Sequence, residues 1–126
     1  MKTALLLIAH GSREEEANAD LHHVAAAMRQ RGRYLIVEPA FLELAEPTMN
    51  VAAKRCVEQG ARHVILLPYF LSAGVHVRRD LQEFRSRLAE QYPDITFRLA
   101  EPLGPDPVLL DVLMLRARQA ESGREN

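Results

Sequence analysis

The chain has 126 residues, 48% hydrophobic and 26% charged, with a formal net charge of −1. That length and apolar content suit one soluble domain around one core. The near balance of charge excludes a general basic field for nucleic acid and an acidic solvating tail, so a charged ligand must be met locally.

The first apolar run, residues 4–9 in "MKTALLLIAHGSR", is continuous, as in a strand covered on both faces. It is too short to span a membrane and passes directly into helix-forming sequence, so it reads as a first strand rather than a signal peptide. Cytoplasm is the expected location. A helix over about 14–31 follows, with Ala17, Leu21, Val24, Ala25 and Met28 at helical spacing and Gly32 as its stop. Residues 34–41 form a second strand. Pro47 opens a helix over 48–59 that ends at Gly60. The lone cysteine, Cys56, shares that helix with Ala52 and Ala53; it excludes an internal disulfide framework and suits a packed thiol. Residues 64–70 form a third strand, the loop "LSAGVH" follows, and a helix over about 77–92 carries Leu81, Phe84 and Leu88 on one face. Residues 95–100 form the last strand, and after "EPLGPDP" a helix runs over 108–120. The domain is thus expected over 1–120, with 121–126 a frayed tail.

Strands alternating with helices imply right-handed crossovers and a three-layer α/β domain: a four-stranded parallel sheet, order 2-1-3-4, with helices on both faces. In such a sheet the binding crevice lies beyond the carboxyl ends of the strands, where strand order reverses. His10 follows strand one, Glu43 and Glu46 follow strand two, and the loop Leu71, Ser72, Ala73, Gly74, Val75, His76 follows strand three. With strand three beside strand one, His10 and His76 are expected to face one crevice. Gly11 permits close backbone approach there. Ser12 is read as a cap of the first helix, whose free N–H groups favour an anion. Asp80 either orients His76 from one turn along or favours the helix N-terminus. Glu46 is preferred over Glu43 for ligand contact, and Arg13, Arg78 and Arg79 are candidates to pair with ligand carboxylates. The adjacent His22 and His23 diverge by about 100° and cannot jointly chelate one ion, and His63 enters its strand at the amino end.

Neutral imidazole is both a metal ligand and a base titrating near neutrality. Two imidazoles without cysteine make a poor closed structural site, which normally takes four ligands. An incomplete shell suits transient holding of a divalent ion. Metal insertion into a tetrapyrrole needs that, together with a base for the pyrrole N–H protons and an apolar cleft for the macrocycle.

"LLLIAHGSR", "FLELAEPT" and "LPYFLSAGVHVRRDL", in this order on this strand pattern, resemble the small class II tetrapyrrole chelatases of the sirohydrochlorin cobaltochelatase type. The similarity runs over nearly the whole chain. It implies a chelatase-like fold, a homodimer, and insertion of cobalt, nickel or ferrous iron into sirohydrochlorin. Those metals would be substrates, with no permanently bound cofactor. By motif position the resemblance implies His10 as metal ligand and proton acceptor and His76 as its metal-binding partner. It implies Glu46 and the loop 71–76 as tetrapyrrole contacts; Ser12, Arg13, Glu43 and Arg78, placed near the crevice by their sequence positions, are further candidates for binding the substrate. Asp106 stands where some relatives carry a histidine and receives no metal role.

Two other readings use the same residues. A phosphohistidine carrier would need His10 as nucleophile but has no use for His76 or the "PYFLSAG" loop. A non-catalytic metal or tetrapyrrole carrier would keep the pocket and release its ligand unchanged.

Overall fold

The structure is a computed structural model in which residues 2–123 are described. Its elements are β1 (Thr3–Ala9), α1 (Glu15–Gln30), β2 (Ile36–Phe41), α2 (Met49–Glu58), β3 (His63–Pro68), α3 (Val75–Gln91), β4 (Thr96–Leu99) and α4 (Pro107–Glu121). All strands are parallel, in the order β2-β1-β3-β4, as the alternating pattern predicts. Of the expected tail, 124–126 lie outside the described residues.

Parallel pairing places register partners on the same face, so the alternation of β1 sorts the core into two halves. Ala4, Leu6 and Ile8 join Val64, Leu66, Phe97 and the buried sides of α2 and α3. Leu5 and Leu7 face the other way, packing with Val37, Phe41 and, from α1, Leu21 and Ala25. β1 is therefore buried on both faces, which is why its sequence is continuously apolar rather than alternating. Helix α2 packs over β1 and β2, and α3 over β4; on the opposite face α1 covers β1 and β2. Helix α4 has no buried residue and no comparable packing against any strand or helix.

Three boundaries differ from the sequence reading by two residues, the others by one at most. Tyr34 and Leu35 fall outside β2, because pairing with β1 begins at Ala4 opposite Ile36. β3 ends at Pro68, which has no N–H for the ladder, although Tyr69 still donates to the Ile8 carbonyl (2.7 Å). Helix α3 starts at Val75, with Gly74 as its N-cap, so His76 stands in the first helical turn rather than in the loop.

Candidate active site

Backbone hydrogen bonding continues past the formal strand ends and fixes the segments that carry the polar residues. Leu42 N–H donates to the Ala9 carbonyl and Glu43 N–H to the His10 carbonyl, both at 3.0 Å. Gly11 sits against the second of these bonds with φ +97°, and a Cβ there would overlap the Glu43 carbonyl oxygen. Only glycine lets the chain after His10 lie so close to the β2 loop. The His10 ring stacks on Phe70, with centroids 4.4 Å apart and planes at 24°. The imidazole is thus supported from the β3 side while remaining exposed.

His10 and Glu43 share a cleft of about 400 Å³ with Val77, Asp80, Phe84 and Arg87 of α3. At about 100° per residue, His76, Asp80 and Arg87 fall on one stripe of α3. His76 is one turn nearer the helix N-terminus than Asp80 and does not line the cleft itself. One end of the cleft thus offers imidazole and carboxylate, and Arg87 supplies a cation whose guanidinium also lies over the Phe84 ring at 5.3 Å. Among the described residues, no three His, Cys, Asp or Glu side chains converge to hold an ion.

The remaining candidates are distributed around this cleft. Leu44 adopts φ +63°, turning the chain between the two acids of the β2 loop. Glu43 lies on the α3 side with His10; Glu46 lies on the α1 side, in a crevice with Ser12, Arg13, Glu15 and His22. Ser12 is not the cap of α1. Its hydroxyl accepts from Glu14 N–H (3.1 Å), while Asn18 clamps its backbone, accepting from Ser12 N–H (2.9 Å) and donating to its carbonyl (2.7 Å). Glu14 occupies the N-cap position, and Glu15 and Glu16 place acidic charge in the first turn, which opposes an anion there.

Leu71 and Ser72 line an apolar hollow of about 570 Å³ with Gly104, Pro105, Leu109, Leu110 and Leu113. Ala73 packs on the core, and its carbonyl accepts from Arg78 Nε (3.2 Å); Val75 is exposed in the first turn of α3. Arg78 also makes a solvent-exposed pair with Glu101 (3.4 Å), and Arg79 lies in a separate hollow with Gln82 and Glu83. Asp106 caps α4, accepting from Val108 N–H (2.9 Å). Cys56 is fully buried and its thiol is pushed up to about 12, first by burial and then by the Glu38 carboxylate.

The sequence reading did not single out Phe70, Asn18 or Arg87. Arg87 was accessible from helical spacing, since it recurs on the stripe of His76 and Asp80. Phe70 and Asn18 act through contacts across chain segments, which a linear pattern does not display.

These features define a class: a doubly wound parallel α/β domain whose polar groups gather where strand order reverses, beyond β1 and β3. The chain belongs to the CbiX family, whose model matches residues 4–120. It is 38% identical over 109 residues to the chloroplastic sirohydrochlorin ferrochelatase of Arabidopsis thaliana, covering 86% of this chain and 48% of that protein. It is 33% identical over 118 residues to a sirohydrochlorin cobaltochelatase of Sulfolobus acidocaldarius, covering 94% of this chain and 92% of the relative. Among solved structures it is similar to the sirohydrochlorin chelatase SirB from Bacillus subtilis subspecies spizizenii in complex with cobalt. That match has a TM-score of 0.85 and 31% identity, over 94% of this chain and 51% of the other. The chain thus spans about half the length of the Arabidopsis and Bacillus proteins.

Proposed function

We propose that the chain is a metal-ion lyase that inserts a divalent metal into sirohydrochlorin. The observation that carries this reading is the cleft beyond β1, which brings the His10 imidazole beside the Glu43 carboxylate and the α3 stripe of Asp80 and Arg87. The names of the full-length and double-length relatives give the substrate class. Cobalt, nickel and ferrous iron are the candidate metals, since imidazole accepts all of them. The metal is a substrate that leaves with the product, and no permanent cofactor takes part.

Insertion exchanges two pyrrole N–H protons for one M²⁺. In this account His10 ligates the incoming metal and accepts a proton, and His76 is its metal-binding partner at the N-terminal end of the α3 stripe. Glu43 stands beside His10 where it can share the ion or relay protons. Glu46, Ser12, Arg13, Arg78 and residues 71–76 contact the macrocycle and its carboxylates, the apolar hollow beside Leu71 and Ser72 receiving pyrrole edges. The chain works as a homodimer in the cytoplasm; no helix among the described residues is long and apolar enough to cross a membrane.

The test is anaerobic mixing of purified protein with sirohydrochlorin and Co²⁺, Ni²⁺ or Fe²⁺, followed by the absorption change on metallation. Acceleration over the spontaneous reaction supports the reading. No acceleration with any of the three metals overturns it.

A further inference from the structure

His10 carries no hydrogen bond that would hold its ring. Among the described residues neither ring nitrogen of His10 bonds or ion-pairs to the protein, although Glu43 and Asp80 share its cleft. Metal-binding histidines ordinarily donate through the second nitrogen to a carboxylate or carbonyl, which fixes the ring and strengthens metal binding roughly 10- to 100-fold. Without such a partner the terminal torsion of an exposed histidine is broad. The nitrogen lone pairs, which lie in the ring plane, would then point in no fixed direction.

Phe70 supplies the missing restraint. Ile8 is the register partner of Pro68, so two residues further along the parallel strands the chain sets His10 opposite Phe70. Neighbouring strands lie about 4.8 Å apart, and the two rings meet at 4.4 Å with planes at 24°. Backbone bonds hold both partners. The His10 carbonyl accepts from Glu43 N–H (3.0 Å), Tyr69 N–H donates to the Ile8 carbonyl (2.7 Å), and the Phe70 carbonyl accepts from Leu103 N–H (3.0 Å). Phe70 is 7% exposed and belongs to the core, whereas His10 is exposed. The buried ring is therefore the fixed member of the pair, and the imidazole is the one it restrains.

We propose that Phe70 is the positioning residue of His10: stacking sets the imidazole plane, and with it the plane in which a divalent metal meets the ring nitrogen. This rests on the metal role proposed above for His10 and names what orients it. A stacked aromatic pair restrains the ring by the equivalent of roughly 2- to 10-fold in an equilibrium constant. Orientation by stacking leaves both nitrogens free of the protein and withholds the strengthening that a bonded carboxylate would give. That suits an ion that must leave with the product.

The test compares Phe70→Leu, which keeps most of the bulk and loses the flat ring, with Phe70→Tyr, which keeps the ring. Urea unfolding checks each, and Phe70→Met replaces the leucine variant if that one does not fold. In ¹H–¹³C NMR of the metal-free protein the His10 Cε1–H signal is assigned by its loss in His10→Ala. It is expected to move in Phe70→Leu and to stay near its wild-type position in Phe70→Tyr. Titration with Co²⁺ in the absence of sirohydrochlorin should give a dissociation constant raised roughly 2- to 10-fold in Phe70→Leu and largely restored in Phe70→Tyr. The kcat for cobalt insertion should fall by a similar factor, with KM for sirohydrochlorin unchanged. A Phe70→Leu protein with wild-type cobalt affinity and kcat, or equal losses in the leucine and tyrosine variants, overturns the positioning and leaves the proposed function standing. The expected NMR and cobalt differences in a protein whose wild type does not accelerate insertion support the positioning and overturn the proposed function.

Discussion

Gly11 shows how one residue ties the site to the sheet. Its positive φ costs an L-residue about 1–2 kcal/mol, and a side chain would also displace the Glu43 carbonyl from its place against the β1 loop. Gly32 has a similar φ of +85° with no atom within 4 Å of a Cβ. We therefore expect Gly32→Ala to lower stability by about 1 kcal/mol with insertion activity retained, and Gly11→Ala to cost more and to lose activity; urea titration and the absorption assay check both. Cys56 gives a pH signature. The unfolded thiol ionises near its ordinary value of 9.0 while the folded one holds its proton to about 12. Above pH 9 the unfolded state binds fewer protons, so stability falls as pH rises, by up to about 1.4 kcal/mol per pH unit, and is unaffected by this group below pH 9. Urea unfolding at pH 8 and pH 10.5 should show this loss in the wild type and a smaller loss in Cys56→Ala. At this scale the sequence made the packed thiol and the need for Gly11 legible. It could not separate Glu43 from Glu46, because the positive φ of Leu44 that puts them on opposite sides is unusual for leucine.

At the scale of elements, local chemistry explains most of the starts and stops. Thr48 caps α2, its hydroxyl accepting from Val51 N–H (3.3 Å); Thr48→Ala is expected to cost about 1 kcal/mol. Arg29, in the last turn of α1, donates through Nε (3.1 Å) and a terminal guanidinium nitrogen (2.6 Å) to the Val37 carbonyl of β2, pinning helix to strand. Arg29→Met should cost about 1 kcal/mol, reduced by its exposure, and increase hydrogen exchange at the end of α1. Strand and helix identities were legible from the switch between continuous apolar runs and helical periodicity. The start of α3 was not, because its cap is Gly74 in extended geometry without a side-chain acceptor, and neither Gly nor the following Val75 and His76 marks a helix beginning. The register of His76 on the Asp80 stripe follows from that start.

For the whole molecule, the parallel order β2-β1-β3-β4 follows from four repeats of strand and helix, and it brings the post-strand segments of β1, β2 and β3 to one edge. Helix α4 has no buried residue and no packing on either face comparable to that of the other three helices. Its largely apolar first turns, interrupted by Asp111, are visible as composition, but composition does not say what such a helix packs against. The central claim is that metal insertion occurs at the His10 cleft, and the most direct measurement is the initial rate of cobalt insertion into sirohydrochlorin by His10→Ala, corrected for the spontaneous rate. His10 lies outside the core and its ring is exposed, so the variant should unfold at nearly the wild-type urea concentration. Loss of a ligand that also accepts a proton predicts a rate lower by roughly 100-fold or more. A folded His10→Ala chain that inserts cobalt at the wild-type rate would contradict the account.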